Sequence, residues 1–316
     1  MVCLCLDEYG TGKEQFINNL NGTNDQVILQ QAQPYKIMKD ADQKPVIRVK
    51  NVYKIFKLGH ERVRALNGVS VDIYKGQFVA IVGTSGSGKS TFLNMVAGLD
   101  KPTKGEIIIA GHHIEKLNES RLVDFRREHV GFIFQAYNLL PQLSAVENVA
   151  LPLSFRGIER KKRESLAKAA LTLVGLEKYY KHKPTEMSGG QQQRVGIARA
   201  LVTKPEIIFA DEPTGNLDSH TTKEILELMQ MLVHETKMTL VMVTHDNYLA
   251  SFADRRVKIL DGEIVSDDGI DENPGDTENS DNTENTGEEE KGASMEEAED
   301  KKEQSIIEKN DGEEIT

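Results

Sequence analysis

The sequence predicts an α/β fold built on a mostly parallel β-sheet covered on both faces. Three observations carry this. From Val46 to Val265, short Val- and Ile-rich runs alternate with segments of helical apolar spacing, and strands that alternate with helices pair in parallel. The runs in "QFVAIV" and "IIFADEP" read as strands buried on both faces. The stretch between Gln135 and Ile207 reads as largely helical, an insert that splits the α/β core.

Folded sequence is expected to begin near Val46. "VIRVKNVYKIF", "GVSVDIY" and "QFVAIVG" read as strands with turn residues between them. A helix is expected over "TFLNMVAGL", and "GEIIIAGHHI" is a short strand ending in a glycine turn, with His112 and His113 as exposed loop residues. Glu119–His129 has helical spacing, and Val130–Gln135 is a buried strand. Residues 144–174 read as helix broken at Pro152 and Gly157. "PEIIFADEP" is a strand and "SHTTKEILELMQMLVHE" a helix, whose Ile225, Leu228, Met229 and Leu232 form a core stripe. "MTLVMVTHD" is a strand, and "RRVKILDGEIV" closes the domain as a hairpin.

The chain has 316 residues, a formal charge of −11 and 38% hydrophobic residues, unevenly spread. Residues 267–316 hold 20 acidic and 4 basic residues, a net of −16, so residues 1–266 are net +5. The acidity belongs to the tail. That tail has no periodic apolar face and too few large apolar side chains to offset its ordering entropy, so 267–316 is expected to be disordered. Its expected role is solvation, with a regulatory or partner-binding role as the alternative. Residues 1–45 read as a disordered leader. "MVCLCL" lacks the basic start and the length of a signal-peptide core, and Cys3 and Cys5 make neither a metal site nor a disulfide framework. The chain has no apolar run of 18 residues that would cross a membrane.

Three motifs carry chemistry. Gly83-x-x-x-x-Gly88-Lys89-Ser90 lies between a strand and a helix. Glycines let backbone N–H groups approach an anion, the helix adds unpaired N–H groups and its positive dipole end, Lys89 reaches phosphate oxygens and the Ser90 hydroxyl suits Mg²⁺. "IIFADEP" ends a buried strand in Asp211 and Glu212, which is costly unless they meet a cation or water. Placed beside the loop, Asp211 is expected to hold Mg²⁺, directly or through a water, and Glu212 to orient and deprotonate a water for attack on a γ-phosphate. In "MSGGQQQR", Ser188 caps a helix, and Gly189 and Gly190 leave bare N–H groups at its positive end. One nucleotide in one compact domain rarely needs two such anion sites. Two copies facing head-to-tail use both, the loop of one and the Ser-Gly-Gly of the other clamping one ATP.

Together the P-loop, Gln135, "SGGQ", "ADEP", Asp218 and His245 follow the order and approximate spacing of an ATP-binding cassette ATPase, and Val46–Val265 resembles that family. The resemblance implies a RecA-like P-loop NTPase core over 46–266, an antiparallel β-subdomain near its start and a helical signature subdomain at about 136–205. It implies ATP and Mg²⁺ as cofactors. The nucleotide would lie against Gly83, Thr84, Ser85, Gly86, Ser87, Gly88, Lys89, Ser90 and Thr91 of one copy and Ser188, Gly189, Gly190 and Gln191 of the other. Phe56 would stack on adenine, with Tyr53 as the second choice. Ser90, Gln135 and Asp211 would hold Mg²⁺, and Asp218 would lie in the loop that crosses the dimer. Glu212 would be the catalytic base, with Gln135, His245 and Lys89 around the γ-phosphate. Met187 and Thr84 depart from the commoner residues at their positions, and neither departure removes a ligand.

Within the family, "FQAYNLLPQLSAVENVALPLSFRG" and "EPTGNLDS" resemble the lipoprotein-release, macrolide-export and antimicrobial-peptide-export branch. This implies a transport ATPase, peripheral on the cytoplasmic face of a membrane, two copies docking on a separate permease and no nucleic acid as partner. A mechanotransmission ATPase acting on a membrane partner without transport is the alternative. Substrate contacts would lie on the partner. Tyr137, Leu139, Leu140, Leu143 and Val146 are too apolar for a loop that faces only water. Part of the set is expected in the helical subdomain, and the rest in a groove for a helix of the partner.

Overall fold

A computed structural model describes residues 44–59 and 61–268. The leader before residue 44 and the tail beyond residue 268 lie outside the described residues, as do the expectations made for them. In chain order the elements are β1 (Ile47–Leu58), β2 (Glu61–Ile73), β3 (Phe78–Val82), α1 (Lys89–Val96), β4 (Lys104–Ile109), β5 (His112–His113), α2 (Glu119–His129) and β6 (Val130–Phe134). Then follow α3 (Ala145–Phe155), α4 (Arg160–Leu173), α5 (Gly189–Leu201), β7 (Ile207–Asp211), α6 (Ser219–Thr236), β8 (Thr239–Thr244), α7 (Asn247–Ala250), β9 (Arg255–Leu260) and β10 (Glu263–Asp267).

The strands form two sheets. β2-β1-β4-β5 is antiparallel, and β10-β9-β3-β8-β7-β6 is parallel except at its last hairpin. The unbroken apolar runs are the central strands: every residue of β3 and β8 is buried. Because side chains alternate across a sheet, each run feeds two cores. Phe78, Ala80, Ile208, Ala210, Leu240 and Met242 face one way, against the helical insert and α6. Val79, Ile81, Ile207, Phe209, Val241 and Val243 face the other, against α1, α2 and the antiparallel sheet. The predicted stripe of α6 is buried in the first core.

Three expectations are corrected. His112 and His113, expected as exposed loop residues, pair with Ile109 and Ile108 as β5, and His113 is half-buried. Pro152 lies inside α3 and does not break it. The ring removes one helical hydrogen bond, and burial of Val149, Ala150 and Leu153 against the insert's core offsets that loss. The break falls between Phe155 and Arg160, where Gly157 takes a left-handed φ of 72°. At the other end, Asp267 and Asp268 belong to the folded unit, not the tail. Asp267 closes β10 on Val257, and both its oxygens accept from the buried Arg255, at 2.7 and 2.5 Å. Arg255 Nη1 also donates to the Asp72 carbonyl at 2.7 Å, which ties the hairpin to β2.

Removing one partner of a buried ion pair leaves the other charge uncompensated. Asp267→Ala is therefore expected to lower the unfolding free energy by about 3–5 kcal/mol in urea titrations; a loss below about 0.5 kcal/mol, the range of neutral surface changes, would mean that the pair does not hold the hairpin.

Candidate active site

Parallel strands deliver their C-terminal ends to one edge of a sheet, where ligands bind in open α/β folds. Here β3, β8, β7 and β6 are neighbours, and their last residues are in register: Val82 opposite Thr244, Asp211 opposite Val243, and Phe134 opposite Asp211. The residues that follow each strand are thereby grouped: the loop from Gly83 after β3, Gln135 after β6, Glu212 after β7 and His245 after β8.

The glycines of the loop serve different ends. A Cβ on Gly83 would lie 2.2 Å from the Ile259 carbonyl oxygen, and one on Gly88 would lie 2.3 Å from that of Ala65. Both are bare because β9 and β2 press against the loop, not only to admit an anion. Gly86, at φ 81°, faces open space. Thr84, Ser85 and Gly86 are exposed, Ser87 is buried, and Ser90 and Thr91 are exposed and half-buried on the first turn of α1. Lys89 is buried, and its Nζ donates to the Thr84 carbonyl at 2.6 Å, so the ammonium is held within the loop. The buried Ser87 Oγ has no hydrogen-bond partner among the described residues. Exposed backbone around an enclosed ammonium, at a helix start, fits a chain of phosphates.

Asp211 is half-buried at the end of β7. Burial pushes its carboxyl above the usual carboxylate range, the neighbouring Glu212 adds to this, and Lys89 acts against it. A half-buried carboxyl beside a second one, with the Ser90 hydroxyl on the first turn of α1 beside the loop, is the donor chemistry of an oxygen-ligated divalent cation. Glu212 has a left-handed φ of 42°. Its N–H donates to the Val243 carbonyl at 3.0 Å, and its Oε1 lies 2.9 Å from His245 Nδ1. A carboxylate only accepts, so Nδ1 carries the hydrogen and Nε2 faces away from Glu212. Gln135 is exposed, and Asn216 Nδ2 donates to its backbone carbonyl at 3.0 Å.

The remaining candidates form a second group. Ser188 caps α5: its Oγ accepts from the Gln191 N–H at 3.3 Å while Gln191 Oε1 accepts from the Ser188 N–H at 3.0 Å. Gly190 packs on the start of α6, where a Cβ would lie 2.4 Å from Thr221 Cγ2, and Asp218 caps α6 through the Thr221 N–H. Among the described residues, no hydrogen bond joins Ser188, Gly189, Gly190 or Gln191 to the loop Gly83–Thr91. Phe56, on β1, is 38% exposed, with Lys54 Nζ 5.1 Å from its ring centroid, whereas Tyr53 is half-buried with its hydroxyl against Gly68. Lys104 Nζ lies 5.5 Å from the Tyr53 ring centroid, so each ring carries an ammonium, and Phe56 is the more exposed of the two.

The apolar set after Gln135 is divided. Leu139 and Val146 pack against the insert's core, Leu143 is half-buried, and Leu140 is exposed. None of them lines the apolar groove of about 540 Å³ beside it, which is built from β6, α2, α3 and α5, with Phe132, Phe134, Pro152 and Phe155 in its walls. Arg126, Arg127 and Arg199 also line it, and no carboxylate does. Sequence reading passed over the phenylalanines because they are split between a strand and a helix. It also passed over Gln193, whose signal is a polar residue on the same stripe of α5 as Ile197 and Leu201.

A carboxyl raised by burial opposes folding once ionised: the penalty is absent below the usual carboxylate range, grows as pH rises through it and is complete above the raised value. Asp211→Asn removes the penalty. In buffer free of nucleotide and Mg²⁺ the variant is expected to melt higher than the parent at about pH 8 and level with it near pH 3. The rise in Tm that Mg–ATP confers on the parent should shrink. A variant that melts lower at both pH values would remove Asp211 from this role.

Residues 66–215 match the family model described as ABC transporter. The chain is 49% identical over 221 residues to an uncharacterized ABC transporter ATP-binding protein of Thermotoga maritima, covering 70% of this chain and 94% of the relative. It is 46% identical over 229 residues to the macrolide export ATP-binding/permease protein MacB of Pasteurella multocida, covering 72% of this chain and 35% of the relative. The chain thus spans about a third of the length of the MacB relatives. Among solved structures it resembles the dimeric, post-hydrolysis ATP-binding cassette MJ0796 bound to ADP and Pi, with a TM-score of 0.65 and 45% identity over 70% of this chain and 97% of that one. The chain belongs to the ABC transporter family, as one of its ATP-binding, Mg²⁺-dependent and ATP-hydrolysing cassettes.

Proposed function

We propose that two copies of this chain clamp ATP head-to-tail and drive an exporter through a membrane permease, from the cytoplasmic face. The observation that carries this is the separation of two anion sites on one chain: the loop Gly83–Thr91 at the strand ends, and the capped start of α5 beside Asp218. Each offers bare N–H groups at a helix start, and a second copy supplies the missing half of each. The dimeric cassettes with which the chain shares 45% and 46% identity support the arrangement. The export function printed for the MacB relatives supports transport over the mechanotransmission alternative. Among the described residues no helix is long and apolar enough to cross a membrane, in keeping with a separate membrane partner.

In this reading Phe56 stacks on adenine and the loop Gly83–Thr91 binds the phosphates, with Lys89 at the terminal ones. Ser90, Asp211 and Gln135 would hold Mg²⁺, which would supply charge neutralisation there. Glu212 accepts a proton from the attacking water. His245 orients Glu212 through Nδ1–H and, in its doubly protonated form, donates Nε2–H to the γ-phosphate. Asp218, and Ser188, Gly189, Gly190 and Gln191, face the partner copy. The groove takes an amphipathic helix of the permease. Among the described residues its arginines bond to carbonyls or to the neighbouring Asp124: Arg126 to Gly98 O, Arg199 to Tyr137 O and Asn138 O, and Arg127 to Asp124. A helix carrying carboxylates complements that charge.

Glu212→Gln is expected to lose about 10²-fold or more in turnover while keeping ATP binding, and to trap an ATP-bound dimer in gel filtration. Mixing Lys89→Ala chains with Ser188→Arg chains should restore part of the ATPase activity, because one composite site is then intact. Full activity of each variant alone would rule out the shared site.

Phe155 is 66% exposed at the groove. Phe155→Glu is expected to leave the ATPase of the isolated chain unchanged and to abolish permease co-purification and permease-stimulated turnover. A variant that still couples normally would place the docking surface elsewhere.

A further inference from the structure

We infer that Gln193 is a positioning residue for Glu212, tying the helix that starts at Ser188 to the catalytic turn of the same chain. Gln193 lies in the second turn of α5 and is fully buried. Its Nε2 donates to the Pro213 carbonyl at 2.5 Å. A carbonyl only accepts, so the amide nitrogen must face it. Pro213 directly follows Glu212, whose left-handed backbone is one that a non-glycine residue holds only when its surroundings impose it. Two bonds bracket that residue: Glu212 N–H to the Val243 carbonyl at 3.0 Å, and Gly215 N–H to the Glu212 carbonyl at 3.1 Å. Between them, the bond from Gln193 is the one that reaches the turn from the helical insert.

Stability does not account for an amide here. Gln193 Oε1 is buried without a hydrogen-bond partner among the described residues, as is Thr214 Oγ1 in the same turn. Methionine, with nearly the same volume, would leave the Pro213 carbonyl unpaired but would remove the unpaired Oε1, one buried orphan for another. What the amide adds is direction. It fixes the Pro213–Thr214 peptide, one residue beyond Glu212, and so holds the turn in which the carboxylate lies against His245, and it makes that peptide move with α5. The start of α5 faces the partner's nucleotide in the proposed dimer, so the base of one site senses the closure of the other. The inference rests on the assignment of Glu212 as base.

The test uses the full chain and steady-state ATP hydrolysis. Gln193→Met should lower kcat by about 10- to 10²-fold, the effect of misplacing a catalytic group by about 1 Å. KM for ATP and Tm should change little. Gln193→Glu adds a readout that a purely structural role would not move. Burial raises the new carboxyl, which donates to the Pro213 carbonyl only while protonated. Relative to the parent, its kcat should be near normal at low pH and fall as pH rises through that group's titration. A Gln193→Met kcat within about twofold of the parent, or a Gln193→Glu pH profile parallel to it, would overturn the inference. If Gln193→Met does not fold, the pH profile decides alone. Glu212→Gln is measured alongside: turnover near that of the parent would overturn the base assignment, whereas an inactive Glu212→Gln with both Gln193 variants normal would overturn the positioning role only.

Discussion

The Glu212 N–H to Val243 carbonyl hydrogen bond extends the β7–β8 ladder by one residue beyond the end of the strand. The rest of the candidate site depends on it. It holds the chain in the sheet through the Asp211–Glu212 peptide, and the reversal begins at Glu212 itself, in a left-handed conformation that costs roughly 1–2 kcal/mol. That conformation brings the carboxylate to His245, two residues beyond Val243 on the neighbouring strand. A shift of one residue in the register would turn Asp211 and Glu212 to opposite faces. The register is set by the alternating burial of Ile207, Phe209, Val241 and Val243 on one face and Ile208, Ala210, Leu240 and Met242 on the other.

The two anion sites solve the same electrostatic problem by different packing. In the loop after β3, the neighbouring strands exclude side chains at Gly83 and Gly88, and the ammonium of Lys89 is fastened to the loop's own carbonyl. At the start of α5, Ser188 and Gln191 cap each other, so the helix start is ordered without help from the first site. Two preformed sites with no hydrogen bond between them suit a ligand held between two copies better than one held by a single chain.

Charge divides the folded unit in the same way. Acids gather at the strand ends, where burial, and then the neighbouring Glu212, hold Asp211 above its usual range. Arginines gather in the groove beside β6, where they bond mainly to carbonyls. In the proposed function a divalent cation answers the first imbalance and an acidic helix the second. Phe134 lines the groove and immediately precedes Gln135, so the two regions are adjacent along one strand.

The sequence by itself determined the order and kind of the elements, because the period of apolar residues is a local property. The two-sided burial of "FVAIV" and the helical spacing of Glu119–His129 both appear as read. It also determined the candidate residues of the loop, the acid pair and the capped helix, because each is a short run whose chemistry does not wait for distant contacts. Tertiary structure decided what depends on neighbours far along the chain. Pro152 stays helical because the insert's core holds its turn, and Asp267 is folded because Arg255 is buried against it. The groove exists because β6 and α3 each place phenylalanines in its walls, and Phe56 is the more exposed aromatic while Tyr53 lies against Gly68. Gln193 reaches Pro213 across 20 residues. A polar side chain on a buried stripe announces in the sequence that it has a partner, but only the packing of α5 on the turn after β7 says which one.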